Sequence, residues 1–293
     1  MTKFSTMSHT RYSIIYLILL ILSGCSHLIQ TTPAYTSEPT PTEPPMAARV
    51  NGEGITLAEY ESELSRYQAY ESEQGISSEL TAQREKVLDE LITQVLLAQA
   101  GSLQGYMIED SVLDQKLSDL INQTGGQEKY QEWLSKNAFD EESFKHALRR
   151  SLVAAWMRDQ IAASVGDTAD QVHVRQIRVS TIEEAQQVQQ QLQGGTDFNL
   201  LAAQYDPLTN GELGWFPRGY LLQPTVDEAA FKLQPGQVSE MIQSEVGYHF
   251  LLLVERDAQY MLSPDAKLFL QRQAVIQWLQ QRSAESTIEI LVP

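Results

Sequence analysis

Between residues 87 and 96 the apolar side chains Val87, Leu88, Leu91, Ile92, Val95 and Leu96 recur at the three-and-four spacing that lines one face of a helix. The same spacing predicts a second helix through Val112, Leu113, Leu117, Leu120 and Ile121, and a third through Phe144, Ala147, Leu148, Leu152 and Trp156. Ahead of them, residues 47–64 read as a short strand, a turn at Asn51 and Gly52, and then a helix. The Thr56 and Glu59 pair has the capping-box spacing at its start. Near the other end, Ser263 and Pro264 open a helix over about 264–284, Ser263 as cap and Pro264 at the first helical position.

The pattern changes between these helical regions. Residues 173–179 alternate as a strand, Thr181 with Glu184 has capping-box spacing, and a helix then runs to the Gly194 and Gly195 stop signal. Thr196 is placed to cap a further helix carrying Phe198, Leu200, Leu201 and Ala202. The dipeptides at 206–207 (Asp-Pro) and 210–211 (Asn-Gly) mark turns. Residues 237–241 and 247–255 complete a small sheet. Two short apolar strands then lack partners: 47–50, because Asn51 and Gly52 are read as leading straight into a helix, and 287–292 after the terminal helix. Unpaired buried backbone is costly. The two strands are therefore expected to pair with each other, with the terminal helix packing on the N-terminal helices.

Composition narrows the function. The chain has 293 residues, 42% of them hydrophobic, and a net charge of −17. That is room for about two domains with real cores. The acidic surface repels phosphates, so nucleic acid is not an expected partner. Lys3 and Arg11 precede the apolar run at 13–22. Ten helical residues rise only about 15 Å, about half of a bilayer core. A basic flank and a short apolar run read as a secretion signal. The LSGC that follows at 22–25 resembles the bacterial lipobox, which implies cleavage before Cys25 and lipid attachment to its thiol; an ordinary signal peptide with an incidental cysteine is the alternative. Cys25 is the only cysteine, so no intramolecular disulfide can form. Residues 31–45 hold five prolines and five threonines, the composition of an extended tether.

The segments VHVRQIRV (172–179), FNLLAAQYD (198–206) and GELGWFPRGYLLQPTVDEAAFKLQPGQVSEMIQSEVGYHFLLLVER (211–256) together resemble the parvulin (rotamase) domain of peptidyl-prolyl isomerases. The VNGE-x-IT opening, the helices around the rotamase segment and the final helix are similar in order to the SurA/PrsA-type extracytoplasmic foldases, in which the helical part cradles unfolded clients. The resemblance implies site residues. His249 matches the second family histidine, Gln176 stands where the first is usual, Asp206 matches a position of cysteine or aspartate, and Ser244 matches a hydroxyl that bonds the histidine pair. Leu213, Leu221 and Val226 match the proline pocket, Val226 replacing the usual phenylalanine. Glutamine keeps a donor and an acceptor but cannot tautomerise as imidazole does. His173, an odd number of residues from Gln176, points to the other strand face. His146 stands alone among helical polar residues. With no arginine or lysine cluster after the first strand, a phosphorylated substrate is not expected.

The expectation is an α+β protein: a parvulin-like domain, a small antiparallel sheet with helices, inserted in a mostly helical SurA/PrsA-like chaperone domain formed from both termini. Its parts are a lipoprotein signal peptide (1–24), a tether (25–45), a helical domain (46–168), a parvulin-like domain (169–258) and a C-terminal helix and strand (259–293). The function implied is a prolyl isomerase and foldase. It would act without cofactor or metal on unfolded exported polypeptides containing X-Pro bonds, outside the cytoplasm and held at the cell membrane through Cys25. A tethered peptide-binding chaperone with a degenerate rotamase site is the alternative, favoured by Gln176 and Val226, and a tethered structural lipoprotein is a third.

Overall fold

The computed structural model describes residues 44–137 and 139–292. The signal-like segment, Cys25 and residues 31–43 of the tether lie outside the described residues. Two compact units divide at Ile161/Ala162 and at Ala274/Val275, the first built from residues on both sides of the second. The divisions lie outward of the expected 168/169 and 258/259. Strands β3 (Thr168–Val179) and β6 (Gly247–Met261) pair as far as Thr168 with Met261, which extends the second unit's sheet beyond the parvulin-like motifs.

In the first unit, β1 (Met46–Val50) and β2 (Glu53–Thr56) form a hairpin, which corrects the expectation that the Asn51 and Gly52 turn passes straight into a helix. Both turn residues have positive φ, 53° and 87°. That conformation matches the twist of paired strands and favours an Asn-Gly pair, so one more strand forms before the helix. Thr56 then caps α1 (Leu57–Glu73), its hydroxyl accepting from the Glu59 amide at 3.1 Å. Helices α2 (Leu80–Leu103), α3 (Asp110–Thr124), α4 (Gln127–Lys136) and α5 (Glu141–Ala163) follow. Of these only α4 was not anticipated: Tyr130 and Leu134 are its buried residues, too few to display a period.

Two apolar cores hold this unit. One gathers Ala47, Val50, Ile55, Leu91, Val95 and Leu96; the other gathers Leu113, Leu117, Tyr130, Leu134, Phe144 and Leu148. The orphan strands do pair. β7 (Ile288–Ile290) runs antiparallel to β1, with Ala48 opposite Ile290 and Val50 opposite Ile288, giving the order β2-β1-β7. Asn51 extends the ladder: its amide donates to the Thr287 carbonyl at 2.8 Å, and its side-chain oxygen accepts from the Thr287 amide at 2.9 Å.

The second unit runs β3, α6 (Ile182–Gln193), α7 (Phe198–Tyr205), β4 (Glu212–Pro217), α8 (Pro224–Ala230), β5 (Ile242–Ser244) and β6. This is the strand–helix–helix–strand–short helix–strand–strand order read from the sequence. The antiparallel sheet has the order β4-β3-β6-β5. The Thr181 and Glu184 capping box is formed. The cap of α7 is Asp197 rather than Thr196, because its carboxylate reaches two amides, of Asn199 at 2.8 Å and Leu200 at 3.2 Å. Residues 237–241 are not a strand. They follow β6 through a single bridge, Val238 to Leu252, and scattered bonds after the turn at Gly236, so the regular ladder begins only at Ile242. Helix α9 (Pro264–Ala284) has the extent expected of the terminal helix.

Strand alternation divides the apolar side chains of this sheet between two cores. Val172, Val174, Leu251 and Leu253 pack with Phe216, Val226 and Phe231, while Ile177, Val179 and Phe250 pack with Ala185, Val188, Phe198 and Leu201 from α6 and α7.

Candidate active site

On the first of these faces, β3 presents Gln176 and Arg178 two residues apart, and β6 presents His249 directly across from Arg178. Leu213 of β4, with Tyr220, Leu221 and Val226 from the loop and short helix after it, completes the lining of a cavity of about 340 Å³. Gly211 permits the close approach of β4. Its φ is +72°, the Gln176 amide donates to its carbonyl at 2.7 Å, and a Cβ there would lie 2.2 Å from the Gln176 carbonyl oxygen. The loop carrying Tyr220 and Leu221 is held by Asp227, a buried carboxylate that accepts from the Gly219 amide at 2.8 Å and the Leu221 amide at 3.2 Å.

His249 is 2% exposed and bonded at both ring nitrogens. Ser244 Oγ lies 2.6 Å from Nε2, and Gln176 Oε1 lies 3.3 Å from Nδ1. A carboxamide oxygen can only accept, so Nδ1 carries the proton and Nε2 accepts from the Ser244 hydroxyl. Ser244 Oγ in turn accepts from the Val246 amide at 3.1 Å. Burial, and after it the Arg178 guanidinium, hold the His249 pKa below its usual value, so the ring is neutral near pH 7. The result is a polar chain, Ser244–His249–Gln176, along one edge of an apolar cavity.

Of the residues expected at the site, Gln176, His249, Leu213, Leu221 and Val226 line this one cavity, and Ser244 joins through His249. Val226 is also a core residue, so it forms part of the floor. Asp206 does not line the cavity. It ends α7, and its carboxylate accepts from the Leu208 and Thr209 amides, each at 3.2 Å, and from the Thr209 hydroxyl. The Thr209 side chain and amide hold its carboxyl below the usual range. The short turn at 207–210 brings these donors back onto Asp206. His173 is absent from the lining as well; it contacts Glu212 at 2.5 Å and stacks with Trp215 at 5.5 Å. His146 lies in the first unit, on the wall of a cleft of about 930 Å³ that it shares with Tyr106, Arg149 and Arg150. Among the described residues no group of three or more His, Cys, Asp or Glu side chains is arranged to hold a metal.

Sequence reasoning missed Arg178, Tyr220 and Asp227. Arg178 was discoverable, since it follows Gln176 at the strand period of two. Asp227 looks only like an acidic residue in a helix's first turn, and nothing local announces its two loop amides.

Residues 3–158 match the SurA-like N-terminal domain family, and residues 167–255 match the PPIC-type PPIase domain. The chain belongs to the SurA-like family. Its rotamase domain makes its enzyme class peptidyl-prolyl cis-trans isomerase. Among relatives, the chain is 26% identical to the foldase protein PrsA of Caldanaerobacter subterraneus over 237 residues, which cover 70% of this chain and 72% of that one. It is 25% identical to the chaperone SurA of Hahella chejuensis over 59% of this chain and 48% of that one. The crystal structure of the peptidylprolyl isomerase PrsA from Bacillus cereus is similar over 80% of this chain and 87% of that one, with 22% identity and a TM-score of 0.45. Within the SurA-like architecture, the cavity beside His249 lies in the matched rotamase domain. No helix among the described residues is long and apolar enough to cross a membrane.

Proposed function

We propose that this SurA-like protein is an extracytoplasmic foldase, anchored to the cell membrane through lipidated Cys25, that isomerises X-Pro bonds of exported polypeptides in the cavity beside His249. The observation that carries the reading is the half-buried Ser244–His249–Gln176 chain, centred on the buried His249, at the edge of an apolar pocket. Rotation about an X-Pro bond requires loss of amide resonance, and the planar amide resists it by about 18–20 kcal/mol. A site lowers that barrier by gripping the prolyl ring, excluding water and aiming fixed dipoles at the twisted amide. Leu213, Leu221 and Val226 serve the first two tasks. Gln176 and His249 serve the third: a carboxamide N–H is free to donate to the substrate, and the neutral imidazole is oriented by Ser244. No step needs a nucleophile or a cofactor. Asp206, held in its own turn, has at most a supporting part.

A protease-coupled assay on an Ala-Pro peptide tests the isomerase. Turnover in the wild type, reduced at least tenfold in His249→Gln, is expected; equal rates in both would sink the assignment of the site. Gln176 in place of an imidazole favours a second reading, a tethered chaperone that binds peptides in this cavity without turning them over. Suppression of client aggregation without isomerisation would favour it. For the anchor, the mature chain is expected to begin at an acylated Cys25. An unmodified Cys25 thiol in the mass spectrum of the exported protein would overturn that.

A further inference from the structure

The rotamase cavity is lined by apolar side chains and by the uncharged polar groups of Gln176, Tyr220, Gln223 and His249, yet one full charge stands in its wall. Arg178 is exposed, lines the cavity two residues along β3 from Gln176, and sits across the ladder from His249. Among the described residues its guanidinium has no hydrogen-bond or ion-pair partner. The other arginines of β3 and β6 are paired, Arg175 with Glu212 at 3.1 Å and Arg256 with Asp170 at 2.7 Å. On a chain of net charge −17, an unpaired guanidinium at the mouth of a cavity is a local reversal of sign. It stands opposite His249 on the ladder, where, after burial, its positive charge disfavours protonation of the imidazole.

We propose that Arg178 is a specificity-determining residue that selects polypeptides carrying a carboxylate next to the proline. A peptide with its prolyl ring against Leu221 and Val226 passes the rim where Arg178 stands. An Asp or Glu flanking the proline supplies the acceptor that the fold does not. Guanidinium and carboxylate meet in a two-pronged geometry, so the pair also orients the backbone about the bond to be turned. A single arginine suits a carboxylate and falls short of the cluster a phosphate would need. The inference rests on the cavity being the prolyl site.

The test measures kcat/KM of the full chain on tetrapeptides that carry Glu, Gln or Lys immediately before the proline, and on a second set that carries them immediately after. One set should show Glu favoured over Gln by roughly threefold to tenfold, with Lys poorest, as expected of a partly exposed ion pair. The preference should shrink as salt rises. In Arg178→Gln the Glu-to-Gln ratio should fall to about one, and in Arg178→Glu the order of Glu and Lys should invert. A ratio near one in the wild type for both sets, or a preference that survives Arg178→Gln, overturns the proposal. Binding of the same peptides, followed by NMR, separates it from the function above. A Glu preference in affinity that depends on Arg178, without turnover of any peptide, would uphold the selectivity and sink the catalytic reading.

Discussion

In the first unit a central strand finds its second partner at the far end of the chain: Asn51 bonds Thr287, 236 residues away. In the second unit every strand pair joins segments within one continuous stretch, Ala162–Ala274, and the neck closes on itself where Thr168 meets Met261. The difference teaches a dependence that runs one way. Once the second unit is folded, its paired neck returns the chain to where it left, which shortens the loop that β1 and β7 must close. Closure entropy grows only slowly with loop length in any case. The second unit therefore needs nothing from the termini for its sheet, whereas the first has no complete sheet without them.

The sharpest way to break this comparison is to remove residues 286–293. Without β7 the edge of β1 is unpaired, and Ile288 and Val292 are lost from the core around Val50 and Ile55. The first unit should lose about 3–5 kcal/mol, from burial and ladder bonds together. Its unfolding transition, resolved by calorimetry, should fall while that of the second unit stays in place. A truncated chain in which both transitions move together would show that the two units are not separable in this way.

Gly211→Ala asks the converse question. Its Cβ would meet the Gln176 carbonyl at 2.2 Å on a backbone at φ +72°. The cost should be about 2–4 kcal/mol, confined to the second unit, and isomerase activity should go with it. Circular dichroism of the helical first unit should be preserved.

Gln176→His restores an imidazole beside His249. If the missing ring limits turnover, kcat/KM on an Ala-Pro peptide should rise about tenfold, or about 1.4 kcal/mol of barrier. A variant no faster than the wild type would mean that glutamine is a sufficient partner for His249.

A pH titration separates the units more gently. His249 has its folded pKa depressed, so the folded state resists protonation that the unfolded chain accepts. The associated stability is complete above the unfolded value of about 6.5 and is lost as pH falls from there toward the folded pKa. The second unit's transition should fall on acidification, and His249→Gln should remove that part of the slope. An unaltered slope in the variant would assign the acid sensitivity to other groups. Smallest of all, Asp206→Asn should change kcat/KM by less than about twofold, because a carboxamide oxygen still accepts from the Leu208 and Thr209 amides. A large loss would return Asp206 to the chemistry.

Much of the site was legible before the structure because its signals are local and periodic. Gln176 and His249 were placed on strands by alternation and by the parvulin-like motifs, and the cavity does gather them. Arg178 was within reach of the same rule. Asp206 shows the limit. Its type and position suited the family site, but the direction of its carboxylate depends on a short turn that folds Thr209 back onto it.

Most of the order of helices and strands, the two strands in search of partners and the position of the rotamase segment were determined by sequence, because helix faces, strand alternation and capping residues act over a few positions. The Asn51 and Gly52 hairpin is local as well, since both residues adopt the positive φ that a two-residue turn needs. Tertiary structure decided the rest. The register of β1 against β7 and the meeting of Gln176 and Arg178 with His249 at one cavity come from segments far apart in the chain. Their energies depend on which groups meet after closure, and no window along the sequence contains both members of such a pair.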